Sequence, residues 1–181
     1  MDRERVMKAI EELLIALGED VEREGLKDTP RRVADAYAEF LSGNGKNAEE
    51  ILSKTFDSTG GEIVIEKDIS FSSTCEHHLM PFFGKVAIAY IPDGKVVGIS
   101  KLARTVEVFA KRLQIQERMT NQIAEEIMRC LAPKGVMVVC EAEHTCMTCR
   151  GVKKPGSKTV TYAILGDFPS EKKNEVLAFI K

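Results

Sequence analysis

Hydrophobic spacing changes character once along this chain, near Glu62, and that change restricts the available folds more than any other feature. Before it, apolar residues recur every three or four positions. Val6, Ile10, Leu13, Leu14 and Leu17 form a stripe that stops at Gly18. Val33, Ala36, Tyr37, Phe40 and Leu41 form a second one after Asp28-Thr29-Pro30, a capping residue followed by a proline that a first helical turn tolerates. Two helices are predicted here, the second ending near Gly43, with a shorter one around Ala48 to Lys54. Beyond Glu62 come short β-branched runs at 62–72, 85–91, 96–99, 135–142 and 158–165, each bounded by Gly, Pro or Asp turns. Two helical stretches, 101–113 and 121–131, separate the first three runs from the last two; Pro133 ends the second, and a final helix is expected over 170–180. Strands grouped on either side of a helical pair predict an α+β fold, with an antiparallel sheet covered by helices on one face. With no linker or repeat in sight, residues 1–181 read as one domain, an N-terminal helical region at 1–60 followed by the sheet-bearing region at 61–181.

Charge excludes some partners. Lys plus Arg number 26 and Asp plus Glu 28, a net charge of -2, so no sequence-wide attraction to nucleic acid or an anionic membrane exists. An anion must be bound locally. Apolar stretches such as Val86 to Ile91 fall far short of the ~20 residues of a spanning helix, and the start lacks a signal-peptide block. A soluble, cytoplasmic protein without membrane or nucleic-acid partners is expected.

Five cysteines, an odd number in a chain of this kind, argue for reduced thiols rather than a disulfide framework. Cys130 and Cys140 sit within apolar segments and read as small buried hydrophobes. Cys75, Cys146 and Cys149 differ, because the chain's histidines, His77, His78 and His144, all lie within three positions of them. Thiolate and imidazole together suit zinc. Two arrangements are open. Cys75, His78, Cys146 and Cys149 would make a closed structural site; Cys75, His78 and Cys146 alone would leave a fourth position for water, with His77 and His144 to move protons beside it. Water on such an ion ionises near neutrality and can attack an electron-poor carbon. The H-x-E and P-C-x-x-C pair of nucleobase deaminases is not reproduced.

Ser100-Lys101-Leu102-Ala103-Arg104 opens a helix, with Ser100 as the expected cap. Lys101 and Arg104 put cations where the helix dipole is already positive, a conflict that a bound phosphate removes. Arg150 follows the second cysteine segment closely, whereas Lys153, Lys154 and Lys158 flank a Pro155-Gly156 turn and read as solvated. Neither a Walker A loop nor G-x-G-x-x-G is present. Gln114-Ile115-Gln116-Glu117-Arg118 reads as an exposed polar joint between the two central helices, whose carboxylate could accept paired hydrogen bonds from a guanine edge.

The stretches GLKDTPRRVADAY (25–37), CEHHLMPFFGK (75–85), GISKLARTVEVFAKRLQIQERMT (98–120) and HTCMTCRGV (144–152) together resemble GTP cyclohydrolase I of the zinc-dependent type. The resemblance implies the tunnelling fold, a homodecamer of two pentamers, and active sites shared between subunits. It implies zinc on Cys75, His78 and Cys146, with His77 and His144 as acid–base residues. It further implies guanine recognition by Glu117 helped by Gln116, a substrate-side place for Glu76, and triphosphate binding by Ser100, Lys101, Arg104 and Arg150, Arg104 extending toward a neighbouring subunit's site. The implied reaction is attack of water at C8 of GTP, release of formate and rearrangement to 7,8-dihydroneopterin triphosphate, a precursor of folate or biopterin. Cys149 departs from the usual family pattern and could compete as a ligand or form a disulfide. Against the enzyme stand a zinc-stapled interaction domain without turnover and a regulatory GTP-binding module.

Overall fold

The computed structural model describes residues 1–180, which divide into two compact units, 1–42 and 43 onward. In the first, α1 (Arg3–Ala16) is capped by Asp2, whose side chain accepts from the Arg5 amide at 3.1 Å, and the chain leaves it through Gly18 at φ 82°. Helix α2 (Thr29–Phe40) carries Pro30 in its first turn as expected. Asp28 stands at its N-cap but does not cap it with its side chain; the carboxylate faces Arg31 and Arg32 instead. Arg3 pairs with Asp35 across α1 and α2. Leu13, Ile15, Leu17 and Phe40 stay exposed.

The second unit begins with α3 (Glu49–Leu52) and β1 (Thr55–Asp57). There follow β2 (Val64–Cys75), β3 (Pro81–Ile91) and β4 (Lys95–Val97), then α4 (Ile99–Ala110), β5 (Leu113–Gln114) and α5 (Gln116–Leu131). Strand β6 (Gly135–His144), the single turn α6 (Thr145–Thr148), β7 (Lys158–Gly166) and α7 (Ser170–Phe179) complete it. Five strands form one sheet in the order β5-β2-β3-β6-β7, antiparallel except for the two-residue parallel bridge of β5 to β2, while β1 and β4 pair separately. Alternation explains the layering. Ile69, Phe71 and Cys75 of β2, Phe82, Val86 and Ile88 of β3, and Val136, Val138 and Cys140 of β6 point to one face, where α4 and α5 supply Leu102, Val106, Phe109, Met119, Ile123 and Ile127. The other face carries a smaller cluster of Ala87, Ala89, Met137 and Val139 against Val176 of α7.

Two helix starts differ from expectation. The N-cap of α4 is Gly98, so Ser100 lies inside the helix and is not its cap. Helix α5 begins at Gln116, five residues before the expected Asn121, and Gln114 and Gln116 are both 1% exposed rather than parts of a solvated joint. The strand expected over 96–99 gives way to α4 at Ile99.

Candidate active site

Strand β2 ends at Cys75 and the chain turns back immediately. The Leu79 amide donates to the Cys75 carbonyl and the Cys75 amide to the Met80 carbonyl, each at 2.8 Å, with Leu79 held left-handed at φ 55°. This tight reversal sets His78 beside Cys75, with Nδ1 3.8 Å from Sγ. The third partner comes from the neighbouring strand pair. His144, last residue of β6, is the register partner of Phe82 on β3, and α6 starts directly after it and carries Cys146. Ligand atoms of Cys75, His78 and Cys146 all lie within 4.8 Å of one another, the one such group among the described residues. Cys75 is buried, Cys146 half-buried and His78 exposed, so the group opens on one side. Burial, and then the nearby Cys75, pushes the Cys146 thiol up.

Cys149 stands outside this group. Its thiol is exposed, 3.6 Å from Thr148 Oγ1, and its amide closes the α6 turn on the Thr145 carbonyl. The geometry gathers three donors, not four. Cys140 is buried as expected, its thiol pushed up to about 12 by burial, while Cys130 is only partly covered.

Around the cluster, Arg150 Nη1 lies 2.8 Å from His78 Nε2, and the exposed His77 meets the His78 ring edge-on with centroids 6.3 Å apart. His144 is half-buried; its ring stacks on Phe82, and its Nε2 is 2.7 Å from Gln116 Oε1. Burial pushes its imidazole down, an effect the nearby Glu117 carboxylate partly opposes. Glu117 itself is exposed in the first turn of α5. Glu76 pairs with Arg118, which holds its carboxyl below the usual range, and Arg118 Nε also donates to Gln114 Oε1 at 3.2 Å. Ser100, Lys101 and Arg104 occupy the first turns of α4, where no acidic side chain stands. Among the described residues neither the Lys101 ammonium nor the Arg104 guanidinium meets an ion-pair partner. Sequence reasoning missed Phe82, Thr120 and Thr161, which support the histidine; only the alternation of Pro81-Phe82-Phe83 hints that one of these rings turns inward.

The α+β sheet, with helices α4 and α5 on one face and a thiol–imidazole–thiol group at one end, is of the tunnelling-fold class. The family model described as GTP cyclohydrolase I matches residues 6–181. A GTP cyclohydrolase 1 of Clostridium kluyveri is 59% identical over 183 residues, covering 100% of this chain and 99% of the relative. Those of Pelotomaculum thermopropionicum (60% over 168 residues; 92% and 89% covered) and Streptococcus sanguinis (52% over 177; 97% and 96%) are similar too. Among solved structures, the archaeosine synthase QueF-Like in the apo form gives a TM-score of 0.48 at 18% identity, covering 62% of this chain and 100% of that one. The chain belongs to the GTP cyclohydrolase I family. Its function is that of the family, an enzymatic hydrolysis, and the alternatives without turnover fall away.

Proposed function

We propose that Cys75, His78 and Cys146 hold a zinc ion and that the surrounding residues convert GTP, with loss of formate, to 7,8-dihydroneopterin triphosphate. The convergence of the three ligand atoms within 4.8 Å carries this reading. The 3.8 Å between Cys75 Sγ and His78 Nδ1 compares with roughly 3.6 Å between sulfur and nitrogen on a tetrahedral zinc. Two soft sulfurs and one imidazole also match zinc in donor type. A zinc ion there supplies Lewis acidity and a water that ionises near neutrality.

The chain's residues do the rest. Glu117, at the start of α5, accepts from the guanine edge, a carboxylate being suited to two parallel N–H donors. Lys101 and Arg104, near the start of α4, whose first turn has no acidic residue, and Ser100 and Arg150 bind the triphosphate. Glu76, paired with Arg118, sits beside the metal ligands on the substrate side. His77 protonates the imidazole nitrogen of guanine as the five-membered ring opens. His144 carries protons during opening and rearrangement of the ribose.

The active assembly is a homodecamer of two pentamers with sites shared between subunits, consistent with the apolar side chains left exposed on α1 and at the end of α2. It works in the cytoplasm in tetrahydrofolate or pterin synthesis. No described helix is long and apolar enough to cross a membrane. Zinc-loaded protein incubated with GTP should release formate and, after oxidation, give neopterin fluorescence. His77→Ala should block formate release; formate at the normal rate from that variant overturns its role.

A further inference from the structure

We propose that Gln116 is a positioning residue that holds His144 as the Nε2–H tautomer, leaving Nδ1 as the ring atom that can accept a proton. The Gln116 side chain is buried, and every polar atom on it is committed inside the protein. Its amide nitrogen lies 3.1 Å from the Cys140 carbonyl, 3.0 Å from the Thr159 carbonyl and 3.2 Å from Thr161 Oγ1. Carbonyl oxygens only accept, so the NH2 must face them; rotated by half a turn, the amide would oppose oxygen to oxygen at two buried places. The amide oxygen therefore faces His144 Nε2 at 2.7 Å and can do nothing there but accept. Nε2 carries the hydrogen.

The hydroxyls beneath agree with this assignment. Thr120 Oγ1 donates to the Gln116 carbonyl at 2.8 Å, which uses its one hydrogen. Thr161 Oγ1, 2.7 Å from Thr120 Oγ1, must then donate to it and keep a lone pair for the Gln116 amide. The frame is rigid, because Cys140 pairs with Thr161, and Ala142 with Thr159, in the β6–β7 ladder. Phe82 fixes the plane of the His144 ring by stacking, and Gln116 fixes its rotation within that plane. With both amide hydrogens directed at the sheet, Gln116 acts on the reaction through the histidine rather than through the guanine base.

The inference rests on the acid–base role proposed above for His144, but its first test needs no turnover. Neutron diffraction from deuterium-exchanged crystals of the zinc-loaded enzyme, about two pH units above the ordinary histidine value, locates the ring deuteron directly. Density on Nε2 and none on Nδ1 is expected; a deuteron on Nδ1, or on both, overturns the proposal. Gln116→Met keeps the volume and removes the polar atoms. It should lose the single tautomer and about a hundredfold in kcat, with KM for GTP within about twofold of the parent. A raised KM at unchanged kcat would mean that Gln116 reads guanine and would overturn it. If that variant does not fold, the neutron result on the parent enzyme decides alone. Full turnover of His144→Ala, together with a deuteron on Nε2 in the parent enzyme, would overturn the acid–base reading and not the tautomer.

Discussion

The imidazole of His144 lies flat on the ring of Phe82, with centroids 4.5 Å apart and planes within 5°. The stack is a product of strand register, because the two residues are directly opposed on β6 and β3. Phe82 is fully buried and meets Phe71 edge-on at 5.8 Å, so it is a core residue and a support for the histidine at once. Phe82→Ala should cost about 3–5 kcal/mol by leaving a cavity. Phe82→Leu should cost roughly 1 kcal/mol and keep the fold and its metal, yet lower the rate of formate release. Denaturant unfolding and a formate assay on the same preparations check this; full turnover in Phe82→Leu would reduce the stack to packing.

Metal retention separates the cysteines. Cys75→Ser and Cys146→Ser each remove a donor from the three-ligand group and should lose zinc on gel filtration, whereas Cys149→Ser should keep one zinc per chain and normal turnover. Metal analysis of the eluted protein reads the outcome. Loss of zinc from Cys149→Ser would show that its thiol swings in as a fourth ligand.

Glu117→Gln tests substrate recognition. The amide keeps the size of the carboxylate but presents one donor where a guanine edge needs an acceptor. KM for GTP should rise at least about tenfold with bound zinc unchanged. An unaltered KM would move the guanine contact elsewhere.

Alkaline stability should report on Cys140. Burial lifts its thiol from the ordinary 9.0 to about 12, so the folded chain holds that proton more firmly than the unfolded chain does. The contribution is complete below pH 9 and is lost, by about 1.4 kcal/mol per pH unit, as pH rises toward the folded value. Urea unfolding of the parent and of Cys140→Ala between pH 8 and 11 should give a steeper decline for the parent. Parallel declines would place the alkaline sensitivity on another group.

Gly84 is the position where β3 tolerates no side chain. A Cβ there would meet the Glu141 carbonyl oxygen at 1.9 Å and Ala142 Cα at 2.6 Å, both backbone of β6. Gly84→Ala should therefore force β3 from β6 near the Phe82–His144 pair, costing more than about 3 kcal/mol and impairing turnover with it. Thermal unfolding checks the first effect; a parent-like melting temperature would mean that the ladder shifts freely at this point.

Much of this was readable from residues alone. The long strands announce themselves through β-branched runs, and the cluster through the company its cysteines keep. What escaped has a physical cause. Gly98 and Ile115, the N-caps of α4 and α5, offer no side-chain cap, so nothing in the local chemistry marks where those helices begin. That hid the burial of Gln114 and Gln116, since glutamine is usually exposed; the partners of Gln116 come from β6 and β7, more than twenty positions away, while Gln114 bonds locally to Phe109, Arg118 and Gln122. Strand β5 and helix α6 are too short to leave a periodic trace. The three-donor geometry needed the turn at Leu79 and the β3–β6 register, neither of which spacing reveals.

Strand β5 has only two residues, but they weld separate regions together. Thr74 and Cys75 pair with Leu113 and Gln114, and the Glu76 amide donates to the Gln114 carbonyl at 3.1 Å. The sulfur-bearing end of the sheet and the threshold of α5 are thus stitched along one seam. Breathing of the central helices must unzip that seam first, so its amides should exchange with solvent no more slowly than those of the helices it secures.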